Sequence, residues 1–156
     1  MNILANDGIS PSGEQALRDA GHTLYTDFVE ADQLESFIQT NDIHGILVRS
    51  ATKVRQPLID ACPSLKFIGR GGVGMDNIDV DYARSKGVQV NNTPAASSQS
   101  VAELVMGHLF TLSRFLHDSN RRMPVEGVDQ FKALKKAYGK GSELRGMTLA
   151  IVGFGR

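Results

Sequence analysis

Five short apolar runs, Ile3 to Ala5, Thr23 to Tyr25, Gly45 to Val48, Leu65 to Ile68 and Val88 to Val90, are separated by stretches of helical periodicity. Strands that alternate with amphipathic helices describe parallel strands joined by crossovers, which restricts the front of the chain to an α/β architecture. Each intervening stretch carries its own start and stop signals. The first has Ser12 with Gln15 three residues later, as in a capping box, and ends at Gly21. Asp32 to Gln39 sets Leu34, Phe37 and Ile38 on one side. Pro57 suits the first turn of a third helix carrying Leu58 and Ile59, and Val80 to Lys86 forms a fourth that closes at Gly87. Five strands with four crossovers predict a flavodoxin-like doubly wound parallel sheet, complete by about Pro94.

Beyond that point the pattern changes. Ser100-Val-Ala-Glu103 reads as a capping box, and Val101, Leu104, Val105, His108, Leu109, Leu112, Phe115 and Leu116 recur at helical spacing, predicting one long helix with a broad apolar face. Asn120 to Gly146 reads as a polar, irregular connector with seven basic residues against three acids. Met147 to Val152 then reads as a buried strand running into Gly153-Phe-Gly155-Arg156, the first half of a dinucleotide-binding turn. The expected boundaries are therefore a first domain over 1–96 and the truncated start of a Rossmann nucleotide-binding domain over 97–156. The third glycine of the fingerprint and its helix are missing, so the chain is expected to be the front part of a longer enzyme.

Composition removes several function classes. Lys plus Arg and Asp plus Glu both total 17, so no chain-wide field favours nucleic acid or an anionic membrane. The charge is unevenly placed. Asp27 to Asp42 holds five acids and no Lys or Arg, whereas Arg49 to Arg70 holds Arg49, Lys53, Arg55, Lys66 and Arg70 against Asp60 alone, so an anionic ligand prefers the second stretch. No 18-residue apolar run is present, and the start lacks the basic and apolar regions of a secretory signal. One cysteine, Cys62, allows no internal disulfide and fits a reducing compartment. A cytoplasmic protein is expected.

Three segments can carry chemistry. Arg49-Ser50 follows the third apolar run, at the strand edge where open α/β sheets bind ligands, and a guanidinium holds carboxylate or phosphate through paired hydrogen bonds; the alternative is a surface arginine just past a strand. Gly69-Arg-Gly-Gly-Val-Gly74 follows the fourth run, and its glycines allow successive N–H groups to converge on an anion around Arg70; the alternative is a tight turn that glycines merely permit. Gly153-Phe-Gly155-Arg156 brings backbone close to a pyrophosphate, although a lone Gly-x-Gly is often an ordinary turn. His108 reads as a core residue, Glu103 as a capping acid, and His22, His44, His117 and Cys62 have no partners at triad or metal spacing.

Val48-Arg-Ser-Ala-Thr-Lys-Val54, Gly69-Arg-Gly-Gly-Val-Gly-Met-Asp-Asn-Ile-Asp79, Val90-Asn-Asn-Thr-Pro94, Ser100-Val-Ala-Glu-Leu104 and Leu144-Arg-Gly-Met-Thr-Leu-Ala-Ile-Val-Gly-Phe-Gly-Arg156 occur in this order. Together they resemble the amino-terminal half of a D-2-hydroxyacid dehydrogenase, most closely the branch that oxidises phosphoglycerate. The resemblance implies NAD as cofactor, a small anionic 2-hydroxy acid as substrate and a homodimer when complete. It places Arg49, Ser50, Arg70, Gly71, Gly72, Val73, Gly74 and Asn77 at the substrate, the Gly71 to Gly74 N–H groups on its carboxylate, and Val73 near the nicotinamide. Gly153, Phe154, Gly155 and Arg156 correspond to the pyrophosphate turn. The family's catalytic arginine, glutamate and histidine lie beyond the fingerprint, so no catalytic residue is expected in this chain, and no metal. The alternatives are a relative acting on glyoxylate, hydroxypyruvate or a lactate-like acid, and a stand-alone flavodoxin-like binding module.

Overall fold

A computed structural model describes residues 1–153, in two compact units that divide between Ala96 and Ser97. The first unit is β1 (Asn2–Ala5), α1 (Pro11–Asp19), β2 (Thr23–Tyr25), α2 (Leu34–Thr40), β3 (Ile43–Val48), α3 (Gln56–Ala61), β4 (Phe67–Arg70), α4 (Val80–Ser85) and β5 (Gln89–Asn92). All strands are parallel and lie in the order β2-β1-β3-β4-β5. This is the flavodoxin-like doubly wound sheet, and its direction of winding reverses between β1 and β3. The chain ends of those two strands therefore splay apart at the carboxyl edge and leave a crevice.

Strand alternation sorts the side chains onto two unequal faces. Leu4, Ile46, Val48, Ile68 and Val90 point into the main core, where Leu34 and Ile38 of α2, Ile59 of α3 and Ala83 of α4 close over them. Each such Leu, Ile or Val stabilises the fold by about 1.5–3 kcal/mol relative to exposure. The opposite face buries only Ile3, Ala5 and Leu24, packed with Ile9, Leu17 of α1 and Leu47. Over β3 and β4 that second face is only partly covered, so Leu47 and Phe67 border open space.

Several boundaries move from their predicted positions. The first helix is capped by Ser10, whose hydroxyl accepts from the Gly13 N–H at 3.2 Å, and not by Ser12. Pro11 has a fixed φ and no N–H, so it occupies the first helical position and leaves the cap to the residue before it. Strand β4 starts two residues later than the apolar run, because the Leu65 N–H still closes a turn on Cys62 O. Its ladder continues through Gly69 and Arg70, which pair with Leu47 and Val48 of β3 and with Asn91 and Asn92 of β5. Arg70 is thus the last residue of a strand rather than part of a free loop.

The second unit departs further from expectation. Helix α5 (Ser98–Ser113) begins two residues before Ser100, so Ser100 is not a cap; Glu103 accepts from the Gln99 side chain at 2.8 Å within the helix. The expected single helix also stops at Arg114, where Phe115 adopts φ +56. Helix α6 (Leu116–Tyr138) then occupies most of the segment expected to be irregular, with Pro124 inside it and a kink at the non-helical Gln130 that divides it into two helical stretches. Arg122 pairs with Glu126 at 2.8 Å across one turn of the first stretch, and the kink lets the Tyr138 hydroxyl reach back and donate to Asp118 at 2.8 Å. The apolar stripe of α5 lies exposed at Leu104, Phe110 and Leu112. Met147 to Val152 forms no strand, since no strand lies beside it among the described residues to complete its ladder, and Leu149, Ile151 and Val152 are exposed.

Candidate functional site

The carboxyl edge of the sheet is tied together by polar side chains from three strand ends. Asp7 stands just beyond β1, and its Oδ2 accepts the N–H of Arg49 at 2.6 Å and that of Thr52 at 3.1 Å, while Oδ1 accepts from the Thr52 hydroxyl. Asn6, buried, donates through Nδ2 to Val29 O at 3.1 Å and to Thr52 Oγ1 at 2.9 Å, and accepts from the Val29 N–H at 2.9 Å. Partial burial alone would raise the Asp7 carboxyl. The hydrogen bonds from the Thr52 hydroxyl and from the N–H groups of Thr52, Arg49 and Ala51 outweigh it and hold the group below its ordinary value of 3.8.

The segments after β3 and β4 are joined in turn. Val54 and Ile78 form a short parallel bridge, in which the Val54 N–H donates to Asn77 O at 2.9 Å and the Asp79 N–H to Val54 O at 3.0 Å. Asn77 donates from Nδ2 to Arg49 O at 3.0 Å and to Thr52 O at 2.7 Å. Arg55 binds Asp79 at 2.8 Å and Asp76 O at 2.7 Å, and that guanidinium lowers the Asp79 carboxyl. Most of the polar groups in this lattice are spent on backbone or on one another, whereas Arg49 and Arg70 offer their guanidinia beside it. Among the described residues neither forms a salt bridge.

A cavity of about 730 Å³ opens beside them, within the usual size of a small-molecule site. Asp7, Arg49, Arg70 and Gly71 line its polar side, Leu47, Phe67 and Gly69 its apolar floor, and Asn92 and Thr93 its far wall. The Arg70 guanidinium lies directly over Gly72, where an added Cβ would fall 1.4 Å from Nη1. Gly72 has φ +150, a conformation that favours glycine, and any side chain there would have to displace the flexible end of Arg70. Arg70 Nε is buried without a partner.

The predicted site residues are therefore only partly gathered. Arg49, Arg70 and Gly71 share the cavity, whereas Ser50 faces a neighbouring hollow with Asp7 and Phe28. Asn77 lies buried beneath the loops as a brace, with its Oδ1 unpartnered, and does not face the cavity. The N–H groups of Gly71 and Gly72 are already used, on Val48 O at 2.8 Å and Arg70 O at 3.0 Å. Within the Gly71–Gly74 loop the N–H groups of Val73 and Gly74 have no partner among the described residues, but Gly72, Val73 and Gly74 stand beside the cavity and do not line it. Val73 is half exposed, and its carbonyl accepts from Asn92 Nδ2 at 2.7 Å while Gly72 O accepts from the Thr93 N–H at 3.1 Å. Gly153 takes φ +92; Phe154, Gly155 and Arg156 lie outside the described residues. Asp7, Thr52 and Asn92 were missed as site residues, although Asn6-Asp7-Gly8 directly follows a predicted strand.

A model of the D-isomer specific 2-hydroxyacid dehydrogenase catalytic domain matches residues 3–152. The chain belongs to this family. It is similar to hydroxypyruvate reductase of Thermotoga maritima, 41% identical over 154 residues, covering 98% of this chain and 48% of that protein. It is 38% identical over 157 residues to D-3-phosphoglycerate dehydrogenase of Rattus norvegicus, covering 99% of this chain and 28% of that protein. The chain thus spans about half or less of the length of these curated 2-hydroxyacid dehydrogenase relatives. Among solved structures, NAD+-bound 3-phosphoglycerate dehydrogenase of Entamoeba histolytica superposes with a TM-score of 0.60 at 28% identity, covering 73% of this chain and 39% of that one.

Proposed function

We propose that residues 1–96 are the substrate-binding half of an NAD-dependent 2-hydroxyacid dehydrogenase whose substrate is D-3-phosphoglycerate, and that the unit from Ser97 onward begins its nucleotide-binding domain. The observation that carries this is the pair of unpaired guanidinia, Arg49 and Arg70, around one cavity at the sheet's switch point. Two arginines suit the phosphate, and the free N–H groups of Val73 and Gly74 suit the carboxylate. Positive φ at Gly153 fits a backbone that approaches a dinucleotide closely.

When bound, the nicotinamide would accept hydride from C2 of the hydroxy acid. The residues of this chain bind and orient: the arginines fix the charged tail, the Val73–Gly74 amides fix the carboxylate, and the apolar floor of Leu47 and Phe67 limits water. The five family motifs in this chain hold no counterpart of the family's catalytic arginine, glutamate and histidine, so the chain by itself is proposed to bind substrate without turning it over. The complete enzyme is proposed to be a cytoplasmic homodimer.

Calorimetric titration separates the substrates. D-3-phosphoglycerate is expected to bind at least about tenfold more tightly than D-glycerate, with the preference erased by Arg70→Ala. Equal affinity for the two, or a preference indifferent to both arginines, overturns the assignment. Similarity to a hydroxypyruvate reductase favours the second reading, a substrate without phosphate. In that case hydroxypyruvate would outcompete the phosphorylated acid.

A further inference from the structure

We propose that Asp7 is a positioning residue for Arg49, acting through the backbone it holds; this rests on the reading of the cavity as an anion site. An acid in the wall of such a site is at first sight a defect, because it repels the ligand that Arg49 and Arg70 attract. Its hydrogen bonds show what it does instead. Oδ2 takes two backbone N–H groups, those of Arg49 and Thr52, and Oδ1 takes the Thr52 hydroxyl, so one carboxylate fixes both ends of the segment from Arg49 to Thr52. Residues of β1 and β3 are neighbours in the sheet, and the Asn6 N–H binds Leu47 O at 3.0 Å, but beyond that point the two chains diverge. Asp7 bridges that divergence at Arg49, a residue that lines the cavity.

The acid is itself held in place. Thr52 Oγ1 accepts from Asn6 Nδ2 at 2.9 Å, and Asn6 is locked to Val29 through both its N–H donor and its carbonyl acceptor. Its oxygens are taken up by these donors, and among the described residues no group of three or more His, Cys, Asp or Glu side chains could hold a metal ion. What it retains is geometry: the direction in which Arg49 leaves the sheet is set by a bond to its own amide. Sequence position gives no hint of this, since Asp7 and Arg49 are 42 residues apart.

Charge and geometry act on anion affinity with opposite signs, which makes the role measurable. Asp7→Asn keeps a carbonyl oxygen for the two N–H groups and removes the negative charge; Asp7→Ala removes both. With the full 156-residue chain and inorganic phosphate as probe, Asp7→Asn should bind as tightly as the parent or more tightly. Asp7→Ala should bind roughly tenfold more weakly and show increased backbone motion at Arg49 by ¹⁵N relaxation. Thr52→Val, which keeps the backbone bonds but loses the hydroxyl, should fall between and serves if Asp7→Ala does not fold. An Asp7→Ala or Thr52→Val chain that binds phosphate as well as Asp7→Asn, with Arg49 no more mobile than in the parent, overturns the proposal. If the parent itself fails to bind phosphate, the reading of the cavity fails, and the relaxation at Arg49 alone decides the role of Asp7.

Discussion

Gly72→Ala tests the cradle at its tightest point. The new Cβ would fall 1.4 Å from Arg70 Nη1 and 2.6 Å from its Cζ, so the guanidinium must leave its place over the loop. Moving the end of a long side chain off its rotamer costs about 0.5–1.5 kcal/mol, and an alanine at φ +150 adds about 1–3 kcal/mol of backbone strain. Stability should therefore drop by about 2–4 kcal/mol, which for a chain of this size is on the order of 4–16 °C in Tm. Anion binding should suffer separately. A charge-assisted hydrogen bond contributes about 1.5–3 kcal/mol, so displacing Arg70 should weaken phosphate binding by roughly ten- to 150-fold. Gly107→Ala in α5 is the control: its φ is ordinary and its Cβ would meet nothing within 4 Å. Thermal unfolding and phosphate titration of both variants provide the comparison. If Gly72→Ala melts and binds like Gly107→Ala, the placement of Arg70 over Gly72 is wrong.

Three further outcomes follow from the fold. Ile46→Ala, at a fully buried position in the main core, should cost about 2–5 kcal/mol in urea unfolding, whereas Leu112→Ala on the exposed stripe of α5 should stay within about 0.5 kcal/mol; equal effects would contradict the assigned core. Burial, with a smaller contribution from the charge of Glu35, raises the Cys62 thiol to about 11, so a thiol reagent at pH 8 should label the native chain far more slowly than the chain in denaturant, and matched rates would place Cys62 at the surface. Because the Asp7 carboxyl is lowered below 3.8 in the folded state, its ionised form contributes stability that is complete above about pH 5 and is lost as pH falls through the folded value. Asp7→Asn should flatten that acid limb of the stability curve, and an unchanged limb would show that the carboxylate is not held as described.

The sheet was legible because strand runs and helix stops are local signals: Gly21 and Gly87 take φ +78 and +82, and the Pro57 turn falls where proline fits. The guanidinia of Arg49 and Arg70 could be assigned to one edge from the same pattern. Asp7, Thr52 and the inward turn of Asn77 could not, because each bonds a partner more than twenty positions away and sequence spacing carries no trace of such a bond. The Gly71 and Gly72 amides were misjudged for a related reason, since glycine content shows that a loop can turn but not which amides the turn consumes. In the second unit, polarity and the excess of basic residues suggested an irregular connector, while the Arg122–Glu126 pair and the kink at Gln130 become visible only when the turns are stacked.

The bonds from Asn92 and Thr93 to the carbonyls of Val73 and Gly72 lie within five residues of the division at Ala96. They orient the peptide planes whose opposite sides carry the free amides of the loop. A twist in the segment leaving β5 would thus be felt first by the groups assigned to the carboxylate. The end of β5 is thereby tied to the same peptide planes that the proposed reading gives to the substrate carboxylate.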